Sequence, residues 1–155
     1  MRRLLVLPTL VFSMTAAHGQ EFTSPDDLLS SLYFNYLSGQ PVTNFEPYFS
    51  DSLTAEMGGG LVPVEAVKQL GFDPISGMDK PELMTVFNLD TFEAKGLTAT
   101  STASFRTDGQ LVTIKFDLVH ERRHGWQIDH ISGTAGDLSW CSNDLVAAVR
   151  SAATR

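Results

Sequence analysis

Between residues 97 and 132 apolar and polar residues alternate through two hairpins that share one register. Asp108-Gly109 is a dipeptide favoured where both central turn residues take positive φ, and it sets Thr107 opposite Gln110 and Phe105 opposite Val112. Arg122-Arg123-His124 followed by Gly125 is the sequence of a three-residue turn ending in a left-handed glycine. It sets Glu121 against Gly125, His120 against Trp126, Leu118 against Ile128 and Phe116 against His130. Side chains alternate faces along a strand, and both hairpins choose the same apolar face. That face collects Leu97, Ala99, Ser101, Ala103, Phe105, Val112, Ile114, Phe116, Leu118, His120, Trp126, Ile128 and His130. The opposite face is rich in Thr, Ser and charge, with Leu111, Val119 and Ile131 as apolar exceptions. A slip of one residue in either hairpin would destroy the agreement.

Upstream the period changes from two to about 3.6. Ser24-Pro25-Asp26-Asp27 opens a helix with a capping serine, an early proline and two carboxylates at the positive end of the dipole. Leu28, Leu29, Leu32, Tyr36 and Leu37 follow at helical spacing, and Gly39 ends it. A short helix is predicted over 50–57 before Gly58-Gly59-Gly60, and another over 64–70 before Gly71. Residues 72–81 form a turn-rich loop carrying Asp73 and Asp79, and residues 83–92 read as a strand. Gly133 to Gly136 read as a connector, and Ser142 as the cap of a final helix through about Ala152. Helices first, then an antiparallel meander with one apolar face, then a short C-terminal helix define an α+β fold. The aromatics Tyr33, Phe34, Tyr36, Phe45, Tyr48 and Phe49 are expected mostly in its core.

Composition narrows the class of protein. Arg2-Arg3, the mostly apolar stretch Leu4 to Ala17 and the small-x-small site Ala17-His18-Gly19 make residues 1–19 an export signal. The apolar run carries Pro8 and several hydroxyls and falls short of the roughly 20 residues of a membrane anchor. Removing 19 of 155 residues leaves one domain, 20–155, and takes the formal charge from −7 to −9, because Arg2 and Arg3 leave with the signal. Such a balance argues against nucleic acid and anionic membranes, which call for a basic patch, and would steer a basic partner to the surface. Cys141 is the only cysteine, so no internal disulfide supports the fold. It reads as a small residue packed beside Trp140 or as a thiol that pairs with another chain, leaving a monomer and a homodimer both open.

The helix beginning near Ser24, the loop Phe72-Asp73-Pro74-Ile75 with Asp79 beyond it, and Gly125-Trp126-Gln127-Ile128-Asp129-His130-Ile131 together resemble the nuclear-transport-factor-2-like superfamily. The resemblance is nearest to an exported bacterial group called domain of unknown function 3828, through its Asp-Pro with a second Asp and its Gly-Trp-x-Ile-Asp, and covers about residues 25–150. It implies a cystatin-like cone, a curved antiparallel sheet wrapped around helices, sometimes with a pocket at the mouth. It implies no activity, since fold does not determine function.

In enzymes of that superfamily an Asp or His base and a hydroxyl donor sit inside the cone. The corresponding site here would use His130 as general base, oriented by Ser101, Asp73, Asp79 or Asp90. A pocket would be lined by Ser101, Phe116, His120, Trp126, His130, Asp73 and Asp79. A metal site built from His120, His124, His130 and Asp129 lacks the i, i+2 or helical i, i+4 spacing of a preformed ligand pair, and Asp73 with Asp79 lacks the ligand ladder of a calcium loop; no cofactor is expected. The reading is an exported, non-catalytic protein, periplasmic or secreted. It binds a small ligand in the cone or a basic envelope protein on its surface, as an inhibitor or immunity protein would. A cone-pocket lyase or isomerase using His130 is the alternative.

Overall fold

The structure, a computed structural model, describes residues 21–39, 42, 44–58, 68–77, 84–107 and 109–154. The predicted export signal, Asp79 and Asp108 lie outside these residues. So does most of the predicted third helix, of which residues 68–70 form a helical turn ahead of Gly71. The elements are α1 (Pro25–Leu37), α2 (Asp51–Glu56), β1 (Thr85–Lys95), β2 (Thr98–Thr107), β3 (Gln110–Glu121), β4 (Gly125–Ala135), β5 (Leu138–Cys141) and α3 (Ser142–Ala153). The strands form one open antiparallel sheet in the order β1-β2-β3-β4-β5, with helices before and after it. The α+β class and the meander follow the reading of the sequence.

Helix α1 begins as its sequence dictates: the Ser24 side chain accepts from the Asp27 N–H at 3.1 Å, and Pro25 occupies the first turn, where no hydrogen bond is lost. Leu28, Leu29, Leu32, Tyr33 and Tyr36 are buried. Tyr33 lies at the centre of the core, its ring 4.8 Å from Phe87 of β1, 6.0 Å from Phe105 of β2 and 6.1 Å from Phe116 of β3. Each leucine taken fully out of water contributes roughly 2 kcal/mol. Ala99, Ser101, Ala103, Val112, Ile114, Leu118, Trp126 and Ile128 are buried on the same side of the sheet. The inner face predicted from alternation is therefore present over β2 and β3 and the first residues of β4.

Three details differ. Leu97 is not on the inner face: it sits with Gly96 in the β1–β2 turn and is 64% exposed, because β2 starts only at Thr98. Gly133 is not in a connector, since β4 runs to Ala135 and pairs with β5 across a tight turn at Gly136. The third concerns His130. The β3–β4 register holds from Glu121↔Gly125 to Leu118↔Ile128 and then shifts by one at a bulge, giving Asp117↔His130 and Phe116↔Ile131. The extra residue, Asp129, reverses the facing of everything beyond it. Ile131 becomes the buried partner of Phe116, and His130 moves to the face of Asp117.

Beyond its ladder with β3, β4 has a second edge, and three separate segments cover it. Phe22 exchanges hydrogen bonds with His124 and Trp126, and Tyr48 and Ser50 with Ile128. The Ser142 hydroxyl accepts from the Ile131 N–H at 2.7 Å, and β5 pairs with Ser132–Ala135. Ser142 thus serves β4, while the cap of α3 is Cys141, whose N–H donates to Asp144. Arg150 of α3 donates to the Glu56 carbonyl at the end of α2, tying both helices together.

Gly125 stands where the chain turns with φ 71°, and a Cβ there would lie 2.2 Å from the Phe22 carbonyl oxygen. Gly96 has φ 66° and open space around it. Urea unfolding should therefore separate the two: G96A is expected to cost roughly 1 kcal/mol from left-handed backbone alone, and G125A roughly 2–3 kcal/mol because it also expels Phe22. Equal losses would show that the Phe22 contact carries no stability.

Candidate functional site

The structure scatters the residues predicted to line an interior pocket. Ser101 and Phe116 are both fully buried. Ser101 donates to Thr91 at 3.1 Å and Thr91 donates to Asp26 of α1, so this hydroxyl ties the helix to the sheet rather than facing a ligand. His120 and Trp126 pair across β3–β4 with rings 5.5 Å apart and nearly perpendicular, at the turn end of the ladder. Asp73 belongs to the opposite end: the Pro74 carbonyl beside it accepts from the Trp140 indole, and Gly77 abuts Trp140 and Val112. Eight residues of β3 separate Val112 from His120, about 27 Å. His130, half-buried on the outer face, shares no wall with Ser101 or Phe116. His130 and Ser101 thus do not form a base–hydroxyl pair on the inner face.

Asp73 is an anchor. Its Oδ2 accepts the Tyr36 hydroxyl at 2.8 Å, and its Oδ1 accepts the N–H groups of Ile75 at 2.7 Å and Ser76 at 3.1 Å. The Tyr33 hydroxyl bonds the Ile75 carbonyl at 3.1 Å, so two phenols of α1 and one indole hold the turn. Burial pushes the Asp73 carboxyl above its ordinary range, against the pull of the Ile75 N–H and the Tyr36 hydroxyl. Burial likewise raises both phenols.

The Gly-Trp-x-Ile-Asp stretch is accounted for by packing. Gly125 admits Phe22, Trp126 and Ile128 are buried, and Asp129 at the bulge accepts the Ser50 hydroxyl at 2.7 Å. Ser50 in turn caps α2 by accepting the Leu53 N–H at 3.0 Å. Each named position of the motif thus has a structural task.

What the structure does bring together lies outside the core. The β3–β4 turn and the chain from Glu46 to Thr54 enclose a cleft of about 350 Å³ lined by Glu46, Pro47, Phe49, Asp51, Thr54, His124 and Gln127. Phe49 is stacked on Phe45 at 5.4 Å and supplies an apolar floor with Pro47. The Asp51 N–H donates to Glu121 at 3.0 Å. With its amide nitrogen facing the available acceptors, Gln127 donates to the Phe49 carbonyl and the other Glu121 oxygen, each at 3.0 Å. The arrangement suits a cation on an aliphatic stem: methylenes against Phe49 and Pro47, charge toward Glu46 and Asp51. His124 reads from the sequence as a turn residue and Phe49 as core, and their meeting with Asp51 emerges only in the fold. The only local signal was the polar Gln127 between Trp126 and Ile128.

Among the described residues no group of three or more His, Cys, Asp or Glu is placed to hold a metal, and no helix is long and apolar enough to cross a membrane. Compared with protein-family models, curated proteins and solved structures, the chain finds no match.

The buried carboxyl makes a pH prediction. Because the folded-state pKa of Asp73 is raised, the folded chain holds the proton more tightly than the unfolded chain. Its contribution is full below the unfolded value of about 4 and is lost as pH rises through the folded value. In urea titrations at several pH values, the stability of the wild type relative to D73N should decline from about pH 4 upward and then level off. A difference that stays flat, or grows with pH, would contradict the raised pKa.

Proposed function

We propose that the protein is an exported, non-catalytic binding protein of the bacterial envelope that engages a basic protein partner through the cleft between the β3–β4 turn and residues 46–54. The observation that carries this reading is the contrast between the two sides of the sheet. The inner face is filled by Tyr33 and its neighbours, while the external cleft joins an apolar floor to Glu46 and Asp51. The formal charge of −7, or −9 after removal of an export signal, draws a basic partner toward such a cleft and favours rapid encounter. An inhibitor or immunity protein for a basic enzyme is the role this charge fits best. The finer fold assignment, a cone of the nuclear-transport-factor-2-like kind close to domain of unknown function 3828, is part of the proposal. It is supported by the helices-then-meander order and by α1 lying against the inner face.

A photo-crosslinking amino acid at position 54, on the lining of the cleft, should capture a basic envelope protein in the exporting cell, and the adduct should vanish when D51K is added. The same probe at exposed Thr134, on the far half of β4, should capture nothing. Equal capture from both positions, or none from position 54, would remove the cleft from the reading. Native mass spectrometry of the protein purified from its compartment should return the bare polypeptide mass. Excess mass lost on denaturation would instead favour a small ligand held in the cone.

A further inference from the structure

Resting on the cleft as the binding surface, we infer that it takes a single arginine or lysine side chain of the partner, with the stem on Phe49 and Pro47 and the charge at Glu46 and Asp51. A cleft of about 350 Å³ holds one such side chain with room for water, not a folded segment. The floor of Phe49 and Pro47 matches the three or four methylenes of the stem, which amphipathic side chains bury along apolar surface while the charge reaches polar groups. Glu46 and Asp51 receive the charge, and the Thr54 hydroxyl adds an acceptor. Glu121 is committed to the Asp51 N–H and to Gln127, so it stiffens the wall instead of meeting the ligand.

His124 completes the lining from the β3–β4 turn. It is half-buried, and its carbonyl accepts the Phe22 N–H, which fixes its backbone against the sheet.

The test is a ¹⁵N NMR titration of the purified protein with the peptide acetyl-Gly-Arg-Gly-amide, beside its norleucine counterpart. At pH 7.5 the arginine peptide is expected to shift the amides of Glu46, Asp51, Thr54 and Gln127, and the norleucine peptide to leave them unmoved. D51K should abolish the shifts caused by the arginine peptide while the amides of β2 and β3 keep their wild-type positions. Arginine-peptide shifts of full size in D51K overturn the carboxylates as the receivers of the charge and leave the cleft reading standing. Equal binding of the norleucine peptide overturns the choice of a cation. No shift at these amides at pH 7.5 overturns the cleft itself.

Discussion

The second edge of β4 is the constraint on which the rest of the chain depends. A strand inside a sheet exposes peptide groups on both sides, and those without partners cost free energy or invite another chain. Here β3 pairs with one side from a local turn, apart from the bulge at Asp129, whereas the other is assembled from Phe22, Tyr48, Ser50, the Ser142 hydroxyl and β5. These pieces come from both ends and the middle of the chain. Because each sits at a fixed station along β4, each also fixes what it carries: Phe22 brings α1, Ser50 brings α2, and Ser142 brings α3. The cleft is a by-product of this docking, formed where the Glu46–Thr54 segment meets the turn that β4 grows out of.

That division explains what could be read from the chain in advance. Contacts made within a hairpin are written in short stretches of sequence, so the β2–β3 ladder and the turn end of β3–β4 follow from Asp108-Gly109 and Gly125 together with alternation. Helix α1 was equally legible, because its cap and first-turn proline are adjacent residues and its leucines recur at helical spacing up to Gly39. The bulge at Asp129 was not, since strict alternation through Trp126, Ile128 and His130 gives an equally tidy face. The signal against it was Ile131, an isoleucine stranded among polar residues: two buried isoleucines three positions apart with Asp129-His130 between them mark an inserted residue. Strand β5 was hidden because Gly133 and Gly136 look like a loop, yet Gly133 is there to admit the Trp140 ring, which leaves no room for a Cβ.

For the candidate site the same logic is harsher. Residues 46–54 and 121–127 are about seventy positions apart, and no spacing rule links Asp51 to His124. The residues that looked chemical on paper, His130, Asp73 and Ser101, carry polar atoms that the fold uses for itself. Asp73 closes a turn under two tyrosines, Ser101 reaches Thr91, and His130 is turned outward by one extra residue. Polar residues near apolar runs mark structure as readily as function, and only the three-dimensional partners separate the two.

The parallel contact between Phe22 and Gly125 has a consequence for the order of assembly. Roughly a hundred residues separate the partners, so closing that loop carries a large entropic cost and contributes to a high contact order. The β2–β3–β4 hairpins can form from neighbouring sequence alone, but the segment made first has no edge to join until the last third of the chain has emerged. The contact of Phe22 therefore cannot exist before β4 does, which makes the hairpins the precondition for closing the N-terminal edge.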